Sequence, residues 1–296
     1  MLRPFVIIAG PTAVGKSEIA VAVARACGGE IVGADAFQIY AGLDLLTAKP
    51  SAELRSLVPH HLIGEIPLTQ AFDVAQYLAA AEQRFAEIHA RGRLPIVCGG
   101  TGLYLRALTR GLAELPPADA ELRTRLEHQP LTELDPDSAA QIDRKNPRRV
   151  IRAVEVCILT GKPFSSFREQ WAAPDLKRYG VVLTRDRAEL HDRIATRTEA
   201  MFADGVIEEV ERVSKLGPTA EQVLGLREIS ALLAGEMTRA ECSAAIQQAT
   251  RRYAKRQMTW FRREPALEPV NFTGITPTAP LIARIAQLAR DLSADR

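Results

Sequence analysis

Apolar positions along the first hundred residues follow two rhythms in turn. Short unbroken runs at Phe5 to Ala9, Glu30 to Ala34 and Leu94 to Cys98 predict buried strands, and stretches with the 3.6-residue period at Lys16 to Cys27 and Val74 to Ala90 predict helices. Strands alternating with helices predict a parallel sheet covered on its faces. From about Pro116 to Asp175 the pattern breaks into short helical pieces divided by prolines, rich in arginine and without a convincing strand. A strand returns at Tyr179 to Thr184, followed by helices at Ala188 to Phe202, Val206 to Leu216 and Arg239 to Arg263, and the tail beyond Pro265 reads as proline-rich and then weakly helical. The fold class expected is therefore α/β, a parallel sheet covered by helices and carrying an inserted all-helical domain. Its expected division is a core at 1–115, an insertion at 116–178 and the rest of the core at 179–296.

Sequence chemistry sharpens this outline at the end of the first strand. Gly10-Pro-Thr-Ala-Val-Gly-Lys-Ser17 matches GxxxxGK[ST] between a strand and a helix, the context of a phosphate-binding loop. Glycines there let successive N–H groups turn onto an anion, and the helix that follows presents its positive end. Gly10, Pro11, Thr12, Ala13, Val14, Gly15, Lys16 and Ser17 are thus the expected polyphosphate cradle, with Lys16 as a mobile charge and Ser17 as a ligand for Mg²⁺. The motif leaves open whether the polyphosphate gives up a phosphoryl group or departs whole.

Asp35 follows the second strand, where a carboxylate can hold Mg²⁺, accept a proton from a nucleophile, or simply cap a helix. The third strand ends in Gly99-Gly-Thr-Gly-Leu-Tyr104, either a second anion-facing turn presenting the Thr101 hydroxyl or a tight structural turn. In open parallel sheets ligands sit beyond the carboxyl ends of the strands, so these three segments are expected to converge on one crevice.

The net charge of +2 is too small to argue for nucleic acid, but arginine and lysine cluster locally. Arg251, Arg252, Lys255, Arg256, Arg262 and Arg263 lie within a little over three helical turns, with Arg252, Arg256, Thr259 and Arg263 on one face. Arg144, Lys145, Arg148, Arg149 and Arg152, preceded by Arg123 and Arg125, lie in the helical insertion. Either cluster is a solvated helix face or a phosphate-backbone contact, and two on two units suggest a clamp. Trp260 and Phe261 suit a core as well as a stacking platform. Cys27, Cys98, Cys157 and Cys242 show no CxxC spacing and read as reduced thiols, and His60-His61 has no nearby partner for a metal site. Without a leader-like start or a run long enough for a membrane span, a cytoplasmic protein is expected.

Taken in order, the segments GPTAVGKS at Gly10, DAFQIY at Asp35, TAKP at Thr47, VPHHLI at Val58, GGTGLY at Gly99, RAVEV at Arg152, TGKP at Thr160 and AKRQMTWFR at Ala254 resemble the tRNA dimethylallyltransferase family over nearly the whole chain. The resemblance implies transfer of a dimethylallyl group from its diphosphate to N6 of the adenosine immediately 3′ of the anticodon. It assigns Asp35 as general base, Thr101 to the diphosphate side, Lys16 and the loop to the leaving group, and Asp35, Ala36, Phe37, Gln38, Thr101, Arg123, Arg148, Arg149, Val150, Ile151 and Arg152 to tRNA, with Gln38 as reader of the target base. Lys255 and Arg256 join the tRNA contacts, and Arg227, where the family has Lys, joins the diphosphate site. Ala36 stands where the family has Ser, and Arg148 where Gln is common. A monomer acting on the tRNA anticodon stem-loop is expected. The competing readings are a small-molecule kinase, which would turn over ATP, prenyl transfer to a free adenine nucleotide, and an RNA-binding adaptor without catalysis.

Overall fold

Strand β1 (Val6–Ala9) lies inside the sheet because every one of its side chains is buried, with Val6 and Ile8 facing one layer and Ile7 and Ala9 the other. The computed structural model describes residues 4–126, 131–144, 146–170, 179–274 and 279–294. Lys145 and the expected domain boundary at 178 lie outside these. The strands are β1, β2 (Gly29–Ala34), β3 (His60–His61), β4 (Leu94–Gly99), β5 (Gly180–Thr184) and β6 (Leu267–Asn271). They form one six-stranded sheet in the order β3-β2-β4-β1-β5-β6, parallel at every pairing.

The helices are α1 (Lys16–Cys27), α2 (Ala52–Leu57), α3 (Val74–Ala90), α4 (Gly102–Arg110), α5 (Ala120–Arg125), α6 (Leu131–Leu134), α7 (Pro136–Gln141), α8 (Pro147–Thr160), α9 (Arg187–Ala203), α10 (Val206–Glu211), α11 (Leu226–Leu233), α12 (Arg239–Phe261) and α13 (Ala279–Ala294). On one face of the sheet α1 and α13 bury Ile19, Val23, Ile285 and Ala289 against Val6 and Ile8. On the other, Tyr77, Phe85 and Ile88 of α3 and Tyr104 and Leu108 of α4 pack on Ile7, Val32 and Val97. A third cluster joins Leu43 and Leu46 to Met201, Val206, Ile229 and Ile246 of the later helices.

Where start signals are strong, sequence and structure agree. Helix α3 opens on the Asp73–Gln76 capping box, and α1 closes on left-handed Gly28. The differences have physical causes. Strand β6 was not expected because Pro269 interrupts it, but an edge strand tolerates a missing N–H, and β6 pairs only with β5. Helix α10 stops at Glu211 rather than Leu216, since the chain leaves to give the Gly217 N–H to Leu68 O.

Contacts divide the chain into two units, Met1–Thr109 with Leu176–Arg296 and Arg110–Asp175. In the second unit, the secondary structure among the described residues is helical, around Leu126, Leu131, Ala139, Ala153 and Val154. Its polar centre is Glu155, fully buried on α8, which accepts from Arg123 Nε and Nη2 at 2.9 Å each, from Arg152 Nη1 at 2.5 Å and from the Asp119 N–H at 2.7 Å.

Burial alone would raise the Glu155 pKa, but the hydrogen bonds from Arg123 and Arg152 outweigh it and hold the carboxyl below its ordinary 4.5. A depressed carboxyl contributes stability that is complete above its unfolded pKa and is lost as pH falls through the folded one. Glu155→Gln should therefore destabilise the helical unit by about 1–3 kcal/mol at pH 7. It should also flatten the loss of stability that wild type shows below about pH 4.5, read from hydrogen exchange of α8 amides across that range.

Candidate active site

The phosphate loop joins β1 to α1, with left-handed Gly15 capping the helix and Ala13 also at positive φ. This winding turns the loop carbonyls outward, and cationic side chains meet them. Lys16 Nζ donates to Pro11 O at 2.8 Å, Arg193 Nε to Ala13 O at 2.7 Å and Arg185 Nε to Val14 O at 2.9 Å. Arg197 Nη1 donates to Thr12 Oγ1 at 2.9 Å. Burial pulls both Lys16 and Arg197 below their ordinary pKa values, and the charge of Asp35 partly restores each.

Two neighbouring strand ends complete the crevice. Asp35 Oδ1 accepts from the Phe37 N–H at 2.9 Å and the Gln38 N–H at 3.3 Å, while Oδ2 accepts no hydrogen bond among the described residues. One carboxylate oxygen is thus fixed by the local turn and the other is available. Thr101 Oγ1 accepts from the Ala36 N–H at 3.0 Å, and its own N–H donates to Ala34 O at 3.1 Å, so the Asp35 and Thr101 turns are tied to each other.

Helix α12 locks these turns to the phosphate loop. Buried Gln257 accepts the Thr12 N–H at 2.8 Å through Oε1 and donates Nε2 to Gly100 O at 2.9 Å. A side chain at Gly100 would collide with that amide, and one at Gly102 with the Trp260 indole, so these glycines admit α12. Tyr253, one turn earlier, faces Thr101 and Gln257, and burial together with the Asp35 charge raises its pKa, which keeps the phenol protonated.

The crevice beyond the strand ends holds about 560 Å³ and is lined by Lys16, Ser17, Asp35, Arg193 and Arg197 among others. Cys98 also lines it, but burial pushes its thiol up to about 11, so it stays neutral. A second, smaller cavity of about 50 Å³ adjoins, lined by Phe37, Leu46, Met201, Val223, Leu224 and Ile246 together with the polar Thr47, Thr198, Thr250 and Tyr253. Both are bordered by Thr12, Asp35 and Arg197. The arrangement suits a ligand with a polyphosphate head and a short apolar tail, whose junction would lie beside Asp35.

Of the expected residues, Thr12, Ala13, Gly15, Lys16, Ser17, Asp35 and Gln38 line this crevice, Gly10, Pro11 and Thr101 do not, and the Val14 side chain is buried in the core. Gln38 spends its amide donors on Thr47 O and Ala48 O at 3.0 and 2.9 Å, which leaves Oε1 as its remaining polar atom. Ala36 packs toward the sheet core and Phe37 toward the smaller cavity. Lys255 and Arg256 are exposed on α12, the latter 5.6 Å from the Tyr253 ring centroid. Arg227 is exposed on α11 and does not line the crevice; Arg193 and Arg197 of α9 supply cations at the loop instead. In the helical unit, Arg123 and Arg152 are held by Glu155, Arg148 and Arg149 are exposed, Ile151 is half-buried, and Val150 packs on the helical core. His61 pairs with Glu30 and His60 with Val58 O, and among the described residues no cluster of His, Cys, Asp or Glu could hold a metal alone.

Arg185, Arg193, Arg197, Tyr253 and Gln257 were not legible as site residues. Arg185 follows a strand without a motif, the others sit at ordinary amphipathic-helix spacing, and the run Arg251 to Arg263 stands out in the sequence for its charge rather than for its buried face.

A sequence family described as IPP transferase matches residues 38–264, a span that begins just past the phosphate loop and Asp35. A tRNA dimethylallyltransferase of Geobacter sulfurreducens is 42% identical over 93% of this chain and 95% of its own length, and one of Myxococcus xanthus is 44% identical over 89% and 91%. The solved tRNA isopentenylpyrophosphate transferase of Bacillus halodurans aligns with a TM-score of 0.72 at 33% identity, covering 98% of this chain and 97% of that one. A eukaryotic dimethylallyltransferase solved acting on tRNA gives a TM-score of 0.78 at 25% identity over 92% of this chain and 74% of that one.

Replacing Gln257 by Leu keeps the volume and removes both hydrogen bonds, leaving the Thr12 N–H and Gly100 O unmatched. Inorganic diphosphate should then bind about tenfold more weakly by calorimetry, the effect of roughly 1–2 kcal/mol in loop order. Unchanged affinity in a folded Gln257→Leu protein would show that the loop holds its shape without α12.

Proposed function

The chain belongs to the IPP transferase family and is a tRNA-prenylating transferase, and from its crevice we propose the full reaction. The dimethylallyl group of dimethylallyl diphosphate passes to N6 of the adenosine 3′-adjacent to the tRNA anticodon, and diphosphate is released. The observation that carries this reading is the position of Asp35, on the border between a phosphate loop and a small cavity to which Phe37, Leu46, Met201, Val223 and Ile246 contribute.

The diphosphate lies on the loop amides with Lys16 and Arg197 beside it. As the allylic C1–O bond breaks, its electron pair goes to the diphosphate oxygen, and these donors stabilise the growing charge without reorganising. The adenine N6 lone pair forms the new bond to C1, and the free oxygen of Asp35 takes the N6 proton. Thr101 positions Asp35 by holding the turn between them through the Ala36 N–H. Extruding the base from the anticodon stack lets its amino group reach this junction, as base-modifying enzymes require. Gln38 Oε1 is suited to accept a hydrogen bond from the extruded base.

The donor set fits Mg²⁺ in its usual form with polyphosphates: the Ser17 hydroxyl, with Asp35 nearby, would hold an ion that is otherwise liganded by phosphate oxygens and water. When bound, the ion would neutralise charge on the leaving diphosphate. For tRNA, exposed Arg148, Arg149, Lys255 and Arg256 are the cations best suited to backbone phosphates, because Arg123 and Arg152 are engaged by Glu155. One chain supplies the loop, the base and the smaller cavity, so a monomer suffices. No helix among the described residues is long and apolar enough to cross a membrane.

The test incubates the protein with Mg²⁺, labelled dimethylallyl diphosphate and unmodified tRNA, beside a tube holding ATP and tRNA. N6-dimethylallyladenosine should appear by digestion and mass analysis in the first tube only. Asp35→Ala should lower the rate by about a hundredfold to ten-thousandfold with diphosphate affinity little changed. ATP consumption without prenyl transfer would instead support phosphoryl chemistry.

A further inference from the structure

We infer that Glu209 of α10 is a positioning residue for base recognition: it fixes the turn at 43–49, and that turn holds the Gln38 amide so that its oxygen alone is left for a base; this rests on the prenyl-transfer reading above. Glu209 does not line the crevice, whereas Gln38 and the turn residues Leu45, Thr47 and Ala48 do. Its effect on a bound base passes through the turn.

The polarity of Gln38 follows from what its amide faces. Nε2 lies 3.0 Å from Thr47 O and 2.9 Å from Ala48 O, and two carbonyls can be met only by the NH₂ end, so the orientation of this amide is settled by its partners. Both donor hydrogens are consumed, and Oε1 can only accept. The backbone is held as well, with the Gln38 N–H on Asp35 Oδ1 at 3.3 Å and the Gly64 N–H on Gln38 O at 2.8 Å. Adenine carries a single donor group on its edge, the N6 amine, which is also the nucleophile. An acceptor-only Gln38 therefore selects adenine through one N6 hydrogen and leaves the other to Asp35.

The two carbonyls that hold Gln38 depend in turn on their own anchors. Ala48 sits at φ 51°, a left-handed conformation that a residue with a Cβ keeps only under constraint. Inside the turn the Thr47 and Ala48 N–H groups reach Leu43 O and Leu45 O at 3.2 and 2.9 Å. At its far end Lys49, with its side chain 1% exposed, donates to Tyr40 O and to Asp44. From outside, the successive N–H groups of Leu45 and Leu46 converge on one carboxylate, Glu209 Oε1 at 2.8 Å and Oε2 at 2.9 Å, a pair of amides that favours an anion. Glu209 thus ties α10 to the turn that sets which end of Gln38 is offered. Without it, the turn can relax and Gln38 can present either a donor or an acceptor.

The experiment compares the binding of two anticodon stem-loop RNAs, one with adenosine at the target position and one with purine riboside, which lacks the amino group. Wild type, Gln38→Ala, Glu209→Ala, Glu209→Gln and the Gln38→Ala/Glu209→Ala double variant are measured, each confirmed folded by its melting transition. Wild type should prefer adenosine by about tenfold or more. Glu209→Ala should lower that preference by about threefold to tenfold. Inorganic diphosphate should still bind Glu209→Ala within about twofold of wild type, because other side chains hold the phosphate loop. Should alanine unfold the protein, Glu209→Gln carries the same test: it keeps one acceptor and should lower the preference by about twofold or more. In the Gln38→Ala background, Glu209→Ala should leave the preference where Gln38→Ala alone puts it, since Glu209 acts through Gln38. A folded Glu209 variant that keeps the wild-type preference, or that loses as much of it without the Gln38 side chain as with it, would overturn the assignment. Absence of dimethylallyl transfer by wild type to the adenosine stem-loop would overturn the underlying reading instead.

Discussion

A phosphate loop works only if its N–H groups point inward, and turning them inward points its carbonyls out. Those carbonyls need partners, and this molecule supplies them from Lys16 nearby and from two arginines far along the chain. Lys16, Arg185 and Arg193 take Pro11 O, Val14 O and Ala13 O, and Gln257 accepts the Thr12 N–H. The loop is thus held by side chains of α1, α9 and α12 and by Arg185 just before α9, and the same Gln257 fixes the Gly100 turn beside it. Most of the site's geometry follows from this clasp, because Thr101 and Asp35 are positioned through the turn that Gln257 holds.

The clasp also explains a division of labour among cations. Arginines that would otherwise serve as generic positive charge are committed to structure, as Arg123 and Arg152 are on Glu155 and Arg185 is on the loop. Exposed cations such as Lys255 and Arg256 are the ones whose charge reaches solvent. Counting basic residues along the sequence therefore overstates the surface available to a polyanion. Pairing with a buried acceptor or a loop carbonyl, more than number, sorts the arginines into these two groups.

Much of the fold could be read from the sequence because its signals are local. The helix Val74–Ala90 opens on Asp73 and carries one apolar face, and the strand Val6–Ala9 is an unbroken apolar run; both lie where periodicity puts them. Strand β6 escaped because an edge position forgives Pro269, a fact about its neighbours. Among site residues, the glycine loop and the carboxylate ending β2 were legible because backbone conformation and strand ends leave marks in sequence. Arg193, Arg197, Tyr253 and Gln257 leave none, since a polar residue on a helix looks the same whether it meets water or a loop carbonyl.

The sequence alone determined that a parallel sheet presents a phosphate loop, Asp35 and Thr101 at the ends of its strands, since strand runs and turn chemistry are written in short segments. Tertiary structure decided what lies beside them. Leu46, Met201, Val223 and Ile246 come from four separate stretches and read as ordinary core, yet their packing leaves a small space at the Asp35 border. An absence of atoms has no residue type and no period. It exists only once distant segments have packed, which is why the glycine loop and Asp35 were written in the sequence and this space, like the side chains of Arg193, Arg197 and Gln257 around the loop, appeared only in the fold.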